Sequence, residues 1–157
     1  MIVKYCFDTN AFIEPWNKHY RMSLTPHYWG KIDNLINDGR IFCPVEVFDE
    51  ITKTQDDSLA TWVKARKDKL IHPITIPLQH QVREILNKFP KLINVKKNQS
   101  MADPWVIAHA IVENAIVVTK EAMGANTDIK IPNVCVAYNL EYIDEFELAE
   151  RENLLVP

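Results

Sequence analysis

Ile2-Val3-Lys4-Tyr5-Cys6-Phe7-Asp8-Thr9-Asn10 is the stretch that decides the fold. An apolar-rich run, broken only by Lys4, ends abruptly in an acid, a hydroxyl and an amide. Val, Ile, Tyr and Phe suit a buried, pleated strand, and the run is too short for a typical helix. Asp8-Thr9-Asn10 then supplies turn chemistry, which places Asp8 at the carboxyl end of that strand. Ligands of open α/β sheets bind outside that end, above all where the strand order reverses. Asp8 also has a plainer role open to it, as a helix cap or in an Asx turn. The other acids of the chain bear on the choice.

Downstream, strands and helices alternate. Ala11 to Pro15 reads as one helical turn stopped by the proline, and Trp16 to Met22 as an aromatic, basic loop or short helix. Thr25-Pro26 opens a helix to Asp38 with Trp29, Ile32, Leu35 and Ile36 on one face, and Gly39 ends it. Ile41 to Cys43 is a short strand, and Pro44 opens a helix from Val45 to about Lys53. A third helix, started by Asp56-Asp57, runs from Ser58 to about Leu70. Lys64, Arg66, Lys67 and Lys69 on its exposed side read as a solvated face. His72 to Pro77 is extended, Leu78 to Phe89 helical, and Lys91 to Gln99 a basic loop. Ser100-Met101-Ala102-Asp103-Pro104-Trp105 starts a helix reaching about Glu113, and Ala115 to Thr119 is a strand buried on both faces. Lys120 to Ile131 is a long loop, Asn133 to Ala137 a further strand, and Ile143-Asp144 caps a last helix. The pattern predicts a single three-layer α/β/α domain over residues 1–157 with a mostly parallel central sheet.

Composition narrows the classes. With 47% hydrophobic and 25% charged residues the chain is globular rather than disordered. No apolar stretch approaches the ~20 residues of a membrane span, and the N-terminus lacks a signal-peptide pattern. A cytoplasmic protein is the expectation. Cys6, Cys43 and Cys135 lie far apart among apolar residues, which reads as three reduced core thiols. Three glycines leave no phosphate loop or dinucleotide fingerprint, and HExxH and GxSxG are absent. A net charge of −3 does not advertise nucleic-acid binding, but carboxylates built around a divalent cation count as negative in a bare sequence.

Four acids stand out by position. Asp8 follows the first strand, Glu50 lies in the helix after the second, Asp103 starts a helix before Pro104, and Glu121 follows the strand ending at Thr119. Right-handed crossovers let all four share one sheet edge. Individually each has an ordinary explanation: Asp103 as a helix cap, Glu50 as a surface glutamate, Glu121 as a solvated loop residue. Together they form an oxygen-only ligand set, unstable as bare like charges and suited to one or two Mg²⁺ or Mn²⁺ ions. A pair of such ions can activate water against a phosphodiester. Thr9, Asn10 and Thr119 would orient the carboxylates or water. Glu46 competes with Glu50, since i and i+4 share a helix face.

The motifs resemble those of the PIN domain family in the family's order. Phe7-Asp8-Thr9-Asn10 resembles its opening strand motif, and Pro44-x-x-Val47-x-x-Glu50-Ile51 its second-acid motif. Ala102-Asp103-Pro104-x-x-Ile107-Ala108-x-Ala110 resembles its third-acid helix, and Val117-Val118-Thr119-x-Glu121 its fourth. Lys130-Ile131-Pro132-Asn133-Val134-Cys135 and the Phe146-Glu147-Leu148 ending are similar to a stand-alone subfamily of this length. The resemblance implies a parallel sheet of roughly four or five strands, metal-dependent cleavage of single-stranded RNA, a toxin role and a cognate antitoxin. It also favours Glu50 over Glu46, because only Glu50 keeps the spacing from Pro44 and Val47. Glu121 departs from the pattern, since many members carry Asp there. Trp16, Lys18 and Arg21 follow the first motif closely enough to border the site and contact RNA. Three alternatives stand beside this reading. One is a PIN-like scaffold without nuclease activity that binds RNA or a protein. Another is simple packing by Trp16 and Tyr20. The last is an aspartyl-phosphate chemistry at Asp8, which Asn10 disfavours by replacing the second acid of a DxD motif. Whether the chain forms a homodimer stays open.

Overall fold

The computed structural model describes residues 2–54, 57–93 and 101–157. Its sheet has four strands, β1 (Tyr5–Phe7), β2 (Ile41–Phe42), β3 (Ile116–Val118) and β4 (Tyr142–Ile143), all parallel in the order β2-β1-β3-β4. Tyr5 pairs with Ile41 and Ile116, and Val118 with both Phe7 and Ile143. Successive strand residues point to opposite faces, yet Tyr5, Cys6 and Phe7 are all buried. Both faces of the sheet are therefore covered by helices, as a parallel sheet requires.

The helices are α1 (Thr9–Glu14), α2 (Pro26–Asn37), α3 (Val45–Thr54), α4 (Asp57–Lys64), α5 (Lys67–Leu70), α6 (Ile76–Lys88), α7 (Asp103–Glu113), α8 (Ile131–Ala137) and α9 (Glu145–Arg151). In α2, Trp29, Ile32, Leu35 and Ile36 form the buried face, and Gly39 (φ 74°) takes the left-handed conformation that follows the helix. Helix α7 begins with Pro104 in its first turn and ends at Asn114, in the left-handed region at φ 54°. Asp144 caps α9 by accepting the Glu147 N–H at 2.9 Å. The three cysteines are buried thiols with no disulfide.

Four expectations need correction. Asn133 to Ala137 is not a strand but lies in α8: Ile131, Val134 and Cys135 are buried at helical spacing while Val136 and Ala137 are exposed. The strand in that region is β4, whose two residues are too few to show a period. Pro15 ends the α-helical geometry of α1 but not the helical path. The chain continues through a π-helical turn, Pro15–His19, closed by the Tyr20 N–H on the Pro15 carbonyl at 2.8 Å. The third helix is two, broken at Ala65 and Arg66. The Arg66 guanidinium lies 3.9 Å from the centre of the Trp62 ring and pairs with Asp33 at 2.6 Å, so Arg66 is no part of a solvated face. Helix α6 starts two residues early, with the Thr75 hydroxyl accepting the Leu78 N–H. Residues 94–99 of the expected basic loop, Asp56 and Ser100 lie outside the described residues.

Candidate functional site

Strand order sets the place of the site. From β1 the chain crosses to β2 on one side, while β3 leads to β4 on the other. The reversal falls between β1 and β3, at their carboxyl ends. Asp8 and Thr119 are the residues that follow those two strands. The Asp8 N–H donates to the Val118 carbonyl at 2.9 Å, which ties the two ends together.

Asp8 sits in extended backbone before α1 and is 4% exposed. Its Oδ1 accepts the Thr9 N–H at 2.8 Å, and its Oδ2 accepts the Thr119 hydroxyl at 3.0 Å. One carboxylate thus caps α1 and ties it to the residue after β3. The Thr9 hydroxyl donates to Glu50 of α3. Asp103 is the first residue of α7, with Ala102 in the cap position, so its carboxyl is not committed to capping. Glu121 Oε2 accepts the Ile131 N–H at 3.0 Å, and its own N–H donates to the Thr119 hydroxyl.

These groups line one cleft of about 330 Å³ together with Asn10, Ile13, Thr54 and Lys130. All four sequence-predicted acids and two of their expected helpers, Thr9 and Asn10, are on its wall. Thr119 acts from behind through Asp8. Glu46 is not a lining residue; burial raises its carboxyl, opposed in part by nearby His109. Trp16, Lys18 and Arg21 are not in the cleft either. Trp16 packs against Trp29 and Trp62 and donates to the Ser58 hydroxyl, Lys18 pairs with Glu14 at 3.0 Å, and the Arg21 Nε donates to the Asn17 carbonyl.

The electrostatics follow from burial. Desolvation, then Glu121, pushes Asp8 up to about 7, against the pull of its hydrogen bonds from Thr9 and Thr119. Desolvation, then the charges of Asp8, Glu121 and Glu50, pushes Asp103 up to about 9, with Lys130 opposing the rise. Two buried carboxylates therefore lack enough positive charge to ionise comfortably. The donors are hard oxygens, with no His or Cys among the lining groups, which matches the preference of Mg²⁺ or Mn²⁺. As the side chains stand, with Glu50 drawn to Thr9 and Glu121 to Ile131, no three His, Cys, Asp or Glu groups among the described residues are set to hold one ion.

Lys130, Thr54 and Asn133 are the parts that sequence reasoning did not assign. Asn133 closes the loop behind Glu121: its Oδ1 accepts the N–H groups of Gly124 and Lys130 at 2.9 and 3.0 Å, and its Nδ2 donates to the Gly124 carbonyl. A Cβ at Gly124 would lie 2.0 Å from the Asp128 carbonyl oxygen, so only glycine fits there. Asn133→Ala removes three hydrogen bonds and is expected to cost roughly 2–4 kcal/mol. Urea unfolding checks this, and a loss below about 0.5 kcal/mol, the usual range for a neutral surface change, would dismiss the clamp.

Among solved structures, VapBC-1 from nontypeable Haemophilus influenzae aligns with a TM-score of 0.58 at 14% identity, covering 92% of this chain and 99% of that one. VapBC2 from Rickettsia felis, crystallised bound to a DNA fragment from their promoter, aligns with a TM-score of 0.55 at 18% identity, covering 90% and 98%. At such identities the likeness is one of fold, and the fold is PIN-like. The chain belongs to the family described as a domain of unknown function, DUF4411, which it matches over residues 5–156. No curated protein matches it. No helix among the described residues is long and apolar enough to cross a membrane.

Proposed function

We propose that this chain is a Mg²⁺- or Mn²⁺-dependent endoribonuclease, hydrolysing phosphodiester bonds of single-stranded RNA. The observation that carries the reading is the gathering of Asp8, Glu50, Asp103 and Glu121 in one cleft at the β1/β3 reversal, with two of them buried short of positive charge. Asp8 and Asp103 would hold a cation most directly, with Glu50 and Glu121 completing the set. When bound, such a cation supplies activated water and neutralises charge on the phosphate. Thr9 fixes Glu50, Thr119 fixes Asp8, and Asn10 offers an amide to water or substrate. No side chain needs to form a covalent intermediate.

The likeness in fold to the VapBC proteins supports a wider reading: a cytoplasmic toxin with a cognate antitoxin partner. The second reading is an inactive scaffold binding RNA or a protein, and what favours it is the tethering of Glu50 and Glu121 away from a shared ion. Incubating a mixed RNA pool with Mn²⁺, Mg²⁺ or chelator separates the two. Cleavage that depends on the cation supports the enzyme, and none in any condition leaves the scaffold.

The RNA path is proposed to run beside the cleft, past Lys18 and Arg21. Glu14 is shared by Lys18 and by Lys120, 3.0 and 2.7 Å away, so neither lysine has that carboxylate to itself. Trp16 contributes mainly as packing there, between Trp29 and Trp62. Replacing Lys18 and Arg21 together by Ala is expected to weaken RNA binding and flatten its salt dependence. An unchanged slope in a salt series would reduce both residues to surface charges.

A further inference from the structure

We propose that Lys130 is a substrate-binding residue of the cleft, its ammonium contacting a non-bridging oxygen of the phosphodiester held before the acids. The inference rests on the nuclease reading and gives a role to a residue which that reading leaves idle.

Lys130 is the cleft's one lysine or arginine among the described lining residues. The ion pair it makes is with Asp128, at 3.6 Å, with side chains 35% and 42% exposed. A pair so exposed holds a lysine only weakly. None of the four acids lies at ion-pair distance from it among the described residues. Its charge nonetheless reaches Asp103. The ammonium is therefore close enough to act on the cleft but is not consumed by neutralising it.

The chain places this side chain with care. The Lys130 N–H is fixed on Asn133, and its Cγ would lie 3.0 Å from a Cβ added at Gly124, so its stem occupies space that the glycine leaves open. The next N–H, that of Ile131, holds Glu121. Adjacent residues at the start of α8 thus position the fourth acid and a cation as one unit. Four carboxylates repel a polyanion, and a lysine on the wall gives each arriving phosphate a charge-assisted partner.

The test compares wild type, Lys130→Gln and Lys130→Arg in full-length protein. The probe is a labelled single-stranded oligoribonucleotide, bound with Ca²⁺ in place of Mn²⁺ across a salt series, alongside calorimetric Mn²⁺ affinity. Lys130→Gln is expected to weaken RNA binding about tenfold. It should also lower the magnitude of the log–log salt slope by about 0.7, the share of one phosphate on a single strand. Lys130→Arg should keep the slope, and Mn²⁺ affinity should be unchanged in both. An unchanged RNA affinity and slope in Lys130→Gln overturns the proposal, as does wild type that fails to bind the oligonucleotide. A loss of Mn²⁺ affinity with the slope intact also overturns it, reducing Lys130 to a structural counter-ion. If wild type binds RNA with a Lys130-dependent slope but never cleaves it, the nuclease reading fails while the contact stands.

Discussion

Asp8→Asn is expected to lower cation-dependent RNA cleavage by roughly two to three orders of magnitude while leaving the protein folded. The amide keeps the shape of the side chain and can still accept the Thr9 N–H, but it takes a charged ligand from the centre of the cleft. Asp8 is the acid set most firmly, with one oxygen on Thr9 and the other on Thr119, at the point where β1 and β3 part. Loss of its charge cannot be repaired by a small movement of a neighbour. Asp103, nearly as buried, should be equally sensitive. Glu50 should follow, since its longer side chain leans on Thr9 and can adapt. Glu121→Gln should cost least, because Glu121 is held by the Ile131 N–H, which an amide oxygen also accepts. Thermal melts belong beside the assays, since activity lost through unfolding says nothing about ligands. Equal cleavage by wild type and Asp8→Asn in Mn²⁺ would remove the acids from the chemistry and leave the scaffold reading.

The parts of the chain that were legible are those where one local rule was strong. The first strand announced itself because Tyr5, Cys6 and Phe7 are consecutive, apolar and buried, with a turn triplet behind them. Helix α7 was readable in place because Pro104 marks its first turn, although Ala102 rather than Asp103 takes the cap position. Three of the cleft's acids were readable by position, since Asp8 and Glu121 follow strands and Asp103 opens a helix, whereas Glu50, in the second turn of α3, was readable only by its spacing from Pro44 and Val47. What escaped was settled by tertiary contact. Val134, Cys135 and Val136 carry strand propensity, yet Asn133 and Pro132 start a helix there and the core takes only one of its faces. Arg66 sits among lysines in sequence, but the Trp62 ring one helical turn back and Asp33 of α2 hold its side chain. Lys130 was illegible as a site residue for the same reason. Its place depends on Asn133 and Gly124, two clamps that no period or motif of charge reveals.

Without metal, the protein is expected to lose stability as pH rises from about 4 to 9, opposite to the usual behaviour of paired carboxylates. Asp8 ordinarily titrates at 3.8 but at about 7 in the folded chain, and Asp103 likewise moves from 3.8 to about 9. Below pH 3.8 both states carry the proton and these acids contribute nothing to the slope. Between 3.8 and 7 the folded protein keeps a proton on Asp8 that the unfolded chain has released, so each rise in pH favours unfolding. Asp103 extends the loss to about 9. At about 1.4 kcal/mol per pH unit, Asp8 alone accounts for roughly 4 kcal/mol, or roughly 10 °C in Tm for a chain of this size. The acid side behaves conventionally: Glu113, lowered to about 2 despite burial by its bonds to His109 and His72, loses its stabilisation as pH falls from 4.5 toward 2. The metal-free optimum should therefore lie near pH 4. Mn²⁺ or Mg²⁺ should flatten the alkaline limb, because bound cations favour the ionised acids and replace repulsion with attraction. Asp103→Asn should flatten it in chelator as well, and Asp8→Asn should do so below pH 7. The measurement is Tm against pH in chelator and in Mn²⁺ for the three proteins. An alkaline limb that neither the cation nor either substitution alters would mean that the two aspartates titrate as ordinary surface acids, and the charge argument for a metal site would go with them.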